Sequence, residues 1–325
     1  MESQIKTLVN NHNVSRWGFL PCYCLNDFSS FPEDFDIFKD LKVLIDNDVI
    51  NNVNPYASIC SFLDNDVPNI STKIIHIINY IGGKNNTEKL NQEQLQYFYS
   101  FLSIVSHKYI WNDVEEGTEE SPRQSIPTLL GRPWKAVSEE LGLATVLTHA
   151  SVDLYNWSLN NDANFMNQDE IVVNMTMSSK PRSESGFYSN MIAIEALGGA
   201  FIPQILYWSK NNLPDTEKFT LLRNILYNLS KYTNEMYQTI IRMYDLCDPE
   251  DFFNNVRIYL GGFNGEKTLP DGKKIKIFPD GLIIENSPYS FKFGGGSAAQ
   301  SSMIQVIDAF LGIIHTEGDR KFVDN

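Results

Sequence analysis

The chain has 325 residues, of which 42% are hydrophobic and 12% aromatic, and it carries a formal net charge of −14. Such a composition supplies a large core and excludes a broad nucleic-acid or anionic-membrane surface, because the chain on average repels phosphate. Cys22, Cys24, Cys60 and Cys247 form neither a disulfide framework nor a paired metal spacing. With no apolar signal core and no run of about 18 apolar residues, a cytoplasmic monomer is expected.

Trp17-Gly18-Phe19-Leu20-Pro21 is a compact apolar knot that tucks an extended arm onto the body. Pro32 favours a helix start, and Phe35, Phe38, Leu41 and Ile45 recur at helical spacing until Asp46-Asn47-Asp48. A second helix starts at Ser71, with Ile74, Ile75, Ile78 and Ile81 inward and Gly82-Gly83 as its stop. Leu95, Phe98, Leu102, Val105 and Tyr109 give the clearest period, a long helix buried on one side. The acidic stretch from Asn112 to Arg123 suggests a linker or a surface loop. As a linker it separates a small N-terminal helical domain (1–112) from a larger one (125–325), with 113–124 between them.

Beyond it, Leu143, Leu147, Ala150, Leu154 and Trp157 mark another amphipathic helix, with His149 beside the stripe as either a satisfied histidine or pocket lining. Ile171 to Met177 reads as a short strand or extended segment. Gly186-Phe187-Tyr188 opens a helix that Pro203 kinks or ends. Residues 214–247 carry the longest periodic segment, which suggests a central core helix. Asp248-Pro249 then starts a helix to Leu260, stopped by Gly261-Gly262, on which Phe253, Arg257 and Leu260 share one line. The guanidinium needs a partner, either an internal carboxylate such as Asp251 or Asp308 or a ligand carboxylate. Turn signals at 269–272 and 278–281 frame Ile275–Ile277 and Leu282–Ile284 and predict a short β-hairpin near 270–285.

Gly294-Gly295-Gly296-Ser297-Ala298-Ala299 then precedes a helix marked by Met303, Ile307, Phe310 and Ile314. A glycine-rich turn feeding a helix N-terminus is either a connector or a loop that admits a flat or anionic ligand. Two stretches carry a resemblance: Phe252-Phe253-Asn254-Asn255-Val256-Arg257-Ile258-Tyr259-Leu260-Gly261-Gly262-Phe263, and Gly295-Gly296-Ser297-Ala298-Ala299-Gln300-Ser301-Ser302 with Asp308 and Leu311-Gly312-Ile313 after it. With Gly18-Phe19-Leu20-Pro21, Asn156-Trp157 and Gly186-Phe187-Tyr188, they make the chain resemble the indoleamine 2,3-dioxygenase family.

The resemblance implies an all-α fold, with a small N-terminal domain over a larger haem-binding one. It also implies ferrous haem b and O2 opening the pyrrole ring of L-tryptophan to N-formylkynurenine, a step of tryptophan catabolism. By position, Arg257 is expected to hold the substrate carboxylate, Phe252 and Phe187 to pack the indole, and Ala298, Met191 and His149 to line the substrate pocket. Ser297, Ala299, Gly296 and Phe253 are expected beside the haem. Met191 stands where many relatives carry a small hydroxyl residue, and His149 where an aromatic hydroxyl is common. The family's proximal histidine lies beyond the glycine loop, and the chain reaches Asn325 without a matching segment, so no metal ligand is assigned. The alternative expectation is a member that binds an indole carboxylate or haem without turnover.

Overall fold

The computed structural model describes residues 14–51, 53–64, 69–85, 87–115, 122–160, 168–268 and 273–314. It is an all-α architecture with a few short strands. The helices that organise it are α1 (Asp36–Ile50), α2 (Tyr56–Asp64), α3 (Ile70–Gly82), α4 (Gln92–Glu115), α5 (Thr128–Leu141), α6 (Pro181–Gly199), α7 (Ile202–Lys210), α8 (Asp215–Ile241) and α9 (Ser302–Leu311).

The centre of the molecule is α4. All five residues of its expected stripe are buried, but so are Tyr97, Tyr99, Ser100, Phe101, Ser103, Ile104, Ser106, His107 and Lys108, so the helix is enclosed on every side rather than one. Small serines face its neighbours and let α5 pack closely, as where Trp134 Nε1 donates to Ser103 Oγ at 3.0 Å. At its N-terminal half Phe28, Phe35, Phe38, Phe98 and Phe101 meet mostly edge to face at centroid distances of 5.0 to 6.3 Å. Each such pair is worth about 0.5–1.5 kcal/mol beyond its buried area. The same apolar cluster runs on through Ile126, Trp134, Tyr188, Tyr259 and Phe291, so helices on both sides of the acidic stretch share one core. Residues 116–121 of that stretch lie outside the described residues.

Several expectations require correction. The periodic run of 214–247 is not the core helix: only Ile225 and Leu229 of α8 are buried, while Phe219, Tyr227 and Tyr237 are exposed. Periodicity reports an apolar stripe, not whether anything covers it. In α3 the buried isoleucines are Ile74, Ile77 and Ile81, whereas Ile75 is exposed. Gly83 ends that helix in the left-handed conformation, φ 61°, as the Gly-Gly signal implied. α1 runs past Asp46-Asn47-Asp48 to Ile50, since nothing in that polar cluster breaks a helix.

The amphipathic helix expected across 143–157 does not form as one element. α5 precedes it, a turn capped by Gly142 follows, Ala150–Leu154 is a short π-helix, and Trp157 lies in strand β2 (Trp157–Leu159) against β3 (Ile171–Val173). Leu282–Ile284 does not pair with Ile275–Ile277 either. Strand β4 (Glu266–Thr268) takes β5 (Lys274–Lys276) as its antiparallel partner, while β6 (Leu282–Ile284) lies between β1 (Ser125–Ile126, parallel) and β7 (Ser290–Phe291, antiparallel). The reason is burial: β6 carries buried Leu282 and Ile284 and joins the core, whereas β5 is exposed at all three positions. Two hairpins therefore stand where one was expected.

The helical run from Pro181 to Lys210 is long and apolar enough to cross a membrane by length and composition, yet 72% of its most apolar window is buried inside the body, as in a core helix. It breaks between Gly199 and Ile202, with Pro203 just inside α7. The N-terminal arm lies over that break. Gly18, at φ 72°, brings its backbone so close to Gly199 that a Cβ would sit 2.5 Å from the Gly199 Cα.

Candidate functional site

The glycine-rich loop comes to rest on the end of the arginine-bearing segment. A Cβ on Gly295 would lie 1.9 Å from the Leu260 carbonyl oxygen, and one on Gly262 would lie 2.3 Å from the Gly295 nitrogen, so both positions require glycine for this approach. Ser297 begins a short 3₁₀ turn, Ala298–Gln300, through a reciprocal capping box with Gln300. Ser301 then caps α9, which buries Met303 and half-buries Val306, Ile307 and Phe310. Ile314, the last residue of the expected stripe, lies past the helix end and is exposed.

A cavity of about 40 Å³ opens beneath the loop, lined by His149, Val152, Asp153, Phe187, Tyr188, Met191, Leu260, Gly296, Ser297 and Ala298. Six of the ten expected site residues, from three separate stretches of chain, therefore meet at one place. Phe252 adjoins it through a tilted contact with Phe187, ring centroids 4.6 Å apart. The remaining three do not line the cavity. Ala299 is exposed and donates its N–H to Ser297 Oγ at 3.2 Å. Phe253 is 62% exposed, and the Arg257 guanidinium lies 5.6 Å from its ring centroid.

The line of Phe253, Arg257 and Leu260 is not a regular α-helical face. Phe252–Val256 is a π-helix and Arg257–Leu260 a 3₁₀ helix, a change of pitch that buries Val256 and Tyr259 and turns Arg257 outward. Arg257 makes no ion pair among the described residues, so neither Asp251 nor Asp308 holds it. An exposed guanidinium over an aromatic ring is left available to a carboxylate. Among the described residues two segments are π-helical, 150–154 and 252–256, and both flank the cavity, a geometry often found at functional sites.

His149 is both partnered and cavity lining, the two readings its sequence position left open. It is 4% exposed, with Nδ1 2.7 Å from Asp153 Oδ2 in an ion pair without good hydrogen-bond alignment, and Nε2 2.9 Å from Glu195 Oε1. Burial alone pushes an imidazole pKa down, but the Asp153 and Glu195 carboxylates outweigh it and hold this one up at about 10, so His149 is an imidazolium at neutral pH. Burial pushes the Asp153 carboxyl up, against the pull of His149. The network reaches the loop twice: Ser301 Oγ donates to Glu195 Oε1, and the His149 N–H donates to Gln300 Oε1 at 3.0 Å.

Asp153 and Glu195 are site residues that sequence reasoning missed. The available signal was the i, i+4 spacing of His149 and Asp153 on an otherwise apolar stretch. His107 was missed as well. Its Nδ1 lies 2.8 Å from the Tyr259 carbonyl, to which it donates, and its Nε2 accepts the Leu147 N–H at 2.9 Å, which makes it neutral. Burial pushes its pKa down to about 4.

The chain matches the family model "Indoleamine 2,3-dioxygenase" over residues 67–324. It belongs to the indoleamine 2,3-dioxygenase family. Among curated relatives, an indoleamine 2,3-dioxygenase of Aspergillus candidus is 34% identical over 67% of this chain and 52% of its own length. Indoleamine 2,3-dioxygenase 2 of Homo sapiens is 30% identical over 68% of this chain and 51% of its own. A myoglobin of Haliotis madaka is 30% identical over 69% of this chain and 53% of its own. The chain thus spans about half the length of these relatives.

The haem implied by the resemblance can be tested against the donors present. The described residues hold no cluster of three His, Cys, Asp or Glu suited to a metal ion. His107 and His149 each have both ring nitrogens engaged, and His76 pairs with Asp34 at 3.5 Å in the N-terminal helices. His12 and His315 lie outside the described residues. The described residues therefore do not supply an axial ligand.

Proposed function

We propose that the protein is a haem-dependent dioxygenase that opens the pyrrole ring of L-tryptophan, or of a related indole, with O2 to give N-formylkynurenine. The observation that carries this reading is the convergence of Phe187, Met191, His149, Gly296, Ser297 and Ala298 on one cavity, with Arg257, in no ion pair among the described residues, three positions before Leu260 in its wall. Haem, when bound, supplies the oxygen activation, and the protein supplies position and polarity.

The chain's own residues have definable parts. Arg257 takes the substrate carboxylate bidentately from the solvent side. Phe187 and Phe252, already in contact, give the indole an apolar face and exclude water from it. Ser297, Gly296 and Ala298 keep the loop thin enough for a ring to approach its backbone, and Ser297 would be the loop residue to hold a haem propionate. Met191 fills space where a hydroxyl residue would offer a hydrogen bond, which favours an apolar substrate edge there. The protein works as a monomer on a small molecule.

The test is the optical spectrum of the purified protein supplied with haem. A sharp Soret band, a ferrous–CO shift and formation of N-formylkynurenine from tryptophan support the reading; a normal spectrum with no product removes the dioxygenase part of it. A second reading is haem or indole binding without turnover. It is favoured by the Haliotis relative named myoglobin and by the charged His149 network beside the cavity. A stable oxygen complex in the presence of tryptophan distinguishes it.

A further inference from the structure

A second cavity, of about 170 Å³, lies where α1 and α2 meet α4 and the segment that runs from β3 into α6. None of the ten expected site residues lines it. Ile59, Ile104, Val105 and Lys108, each no more than 3% exposed, mark its deep end, whereas Val49 is 46% exposed and Pro181 lies at the surface. The space therefore runs from the surface into the core. The N-terminal half of α4 is sheathed in phenylalanine rings, but the side chains around this space are Ile45, Val49, Ile59, Val173 and Met175, which are too small to close it.

Its chemistry follows from what the lining residues have left to offer. Two of them are charged, and both charges are spent elsewhere. Lys108 Nζ donates to Tyr259 Oη at 2.8 Å and sits 5.2 Å from the centroid of that ring. Asp46 gives both carboxylate oxygens to Lys42 Nζ, at 2.5 and 2.6 Å. A charged ligand would thus give up its hydration and gain no counter-charge in return. An apolar molecule gives up nothing of the kind, and an apolar cavity of about 150 Å³ is known to stay dry and to take benzene. Half-buried Thr176 and Ser185 add hydroxyl-bearing side chains to the wall, enough for one hydrogen-bonding group on the guest. A mostly apolar pocket between helices with a few polar groups is the usual make-up of a small-molecule site.

We propose that this cavity is a second binding site, separate from the one beneath the glycine loop, for an uncharged, largely apolar molecule of one substituted ring. Size sets the ring count, and the two spent charges set the preference for a neutral guest. Through the Lys108–Tyr259 hydrogen bond the deep end of the cavity is joined to the segment that carries Arg257.

The test is titration of p-cresol and of benzoate, rings of one size that differ in charge, into the purified protein with isotopically labelled methionine methyl groups. The Met175 methyl resonance, assigned with Met175→Leu, shifts saturably with p-cresol, while benzoate binds about tenfold more weakly. Val105→Phe, which fills the deep end, weakens p-cresol by about tenfold. Ala298→Leu, in the glycine loop, leaves p-cresol affinity within about twofold, because the two sites share no residue. Absence of a saturable Met175 shift overturns the assignment, as does p-cresol affinity that is lost in Ala298→Leu or kept in Val105→Phe. Benzoate binding as tightly as p-cresol overturns the neutral class of guest. If Val105→Phe does not fold, the wild-type Met175 shift and the Ala298→Leu comparison decide.

Discussion

Replacing His149 by leucine removes the one cation from a buried trio and leaves two carboxyl groups facing each other. The three side chains are only 3–5% exposed, so water does not screen what remains. A rise of the imidazole pKa from 6.5 to about 10 corresponds, at ~1.36 kcal/mol per unit, to stabilisation on the order of 5 kcal/mol. Loss of one partner from a buried pair costs about 3–5 kcal/mol by independent reasoning, so His149→Leu should lower stability by roughly that amount. The pH dependence has a definite sign. A raised histidine contributes fully below its unfolded pKa of 6.5 and loses that contribution as the pH climbs towards 10. Urea unfolding of the wild type and of His149→Leu, followed across that range, reads both effects. The leucine variant should instead gain stability on acidification, as the buried Asp153, raised by burial and no longer opposed by His149, takes up a proton. Adding Asp153→Asn and Glu195→Gln should restore part of the loss at neutral pH. Equal stability of wild type and His149→Leu at pH 6.5, with parallel curves above it, refutes the argument.

Other outcomes follow from the same coordinates. His107 works in the opposite sense: buried and lowered to about 4, it stabilises fully above pH 6.5 and less as the pH falls, so the wild-type stability curve should peak near 6.5. Arg257→Ala should leave the melting temperature almost unchanged, within about 0.5 kcal/mol, yet weaken binding of an aromatic acid by about 2–4 kcal/mol, measured by calorimetry. Gly295→Ala should destabilise by about 1–3 kcal/mol in denaturant melts, because its Cβ would meet the Leu260 carbonyl oxygen at 1.9 Å. Native-state thiol labelling should modify exposed Cys22 before Cys24, whose thiol burial pushes up to about 12, and before Cys247, pushed up to about 11.

Much of this architecture was legible because its signals were local. Phe98, Leu102 and Val105 announced α4, Gly82-Gly83 its predecessor's end, and Met303, Ile307 and Phe310 the inner face of α9. The two motifs that carry the resemblance announced one another, and the loop does rest on Leu260 to Gly262. What failed depended on partners far away in sequence. α5 was hidden by Gly131 and Pro133, which look like breakers, yet Gly131 sits where a Cβ would strike Ile284 and Pro133 is buried among packed neighbours. One strand partner of Leu282–Ile284 comes from residues 125–126, about 160 positions earlier, and no turn signal encodes it. The charged trio drew one member from the π segment at 150–154, one from just before it and one from α6. Single residues of ordinary type do not advertise such a meeting.

The neutral His107 has a mechanical consequence. By binding the Leu147 amide on one side and the Tyr259 carbonyl on the other, it couples the segment leading into His149 to the segment that carries Arg257. The opposite banks of the cavity are therefore riveted through the central helix and cannot part independently. The third bank, the glycine loop, is held differently: Gln300 and Ser301 tie it to His149 and Glu195, and Gly295 seats it on Leu260 and Gly262.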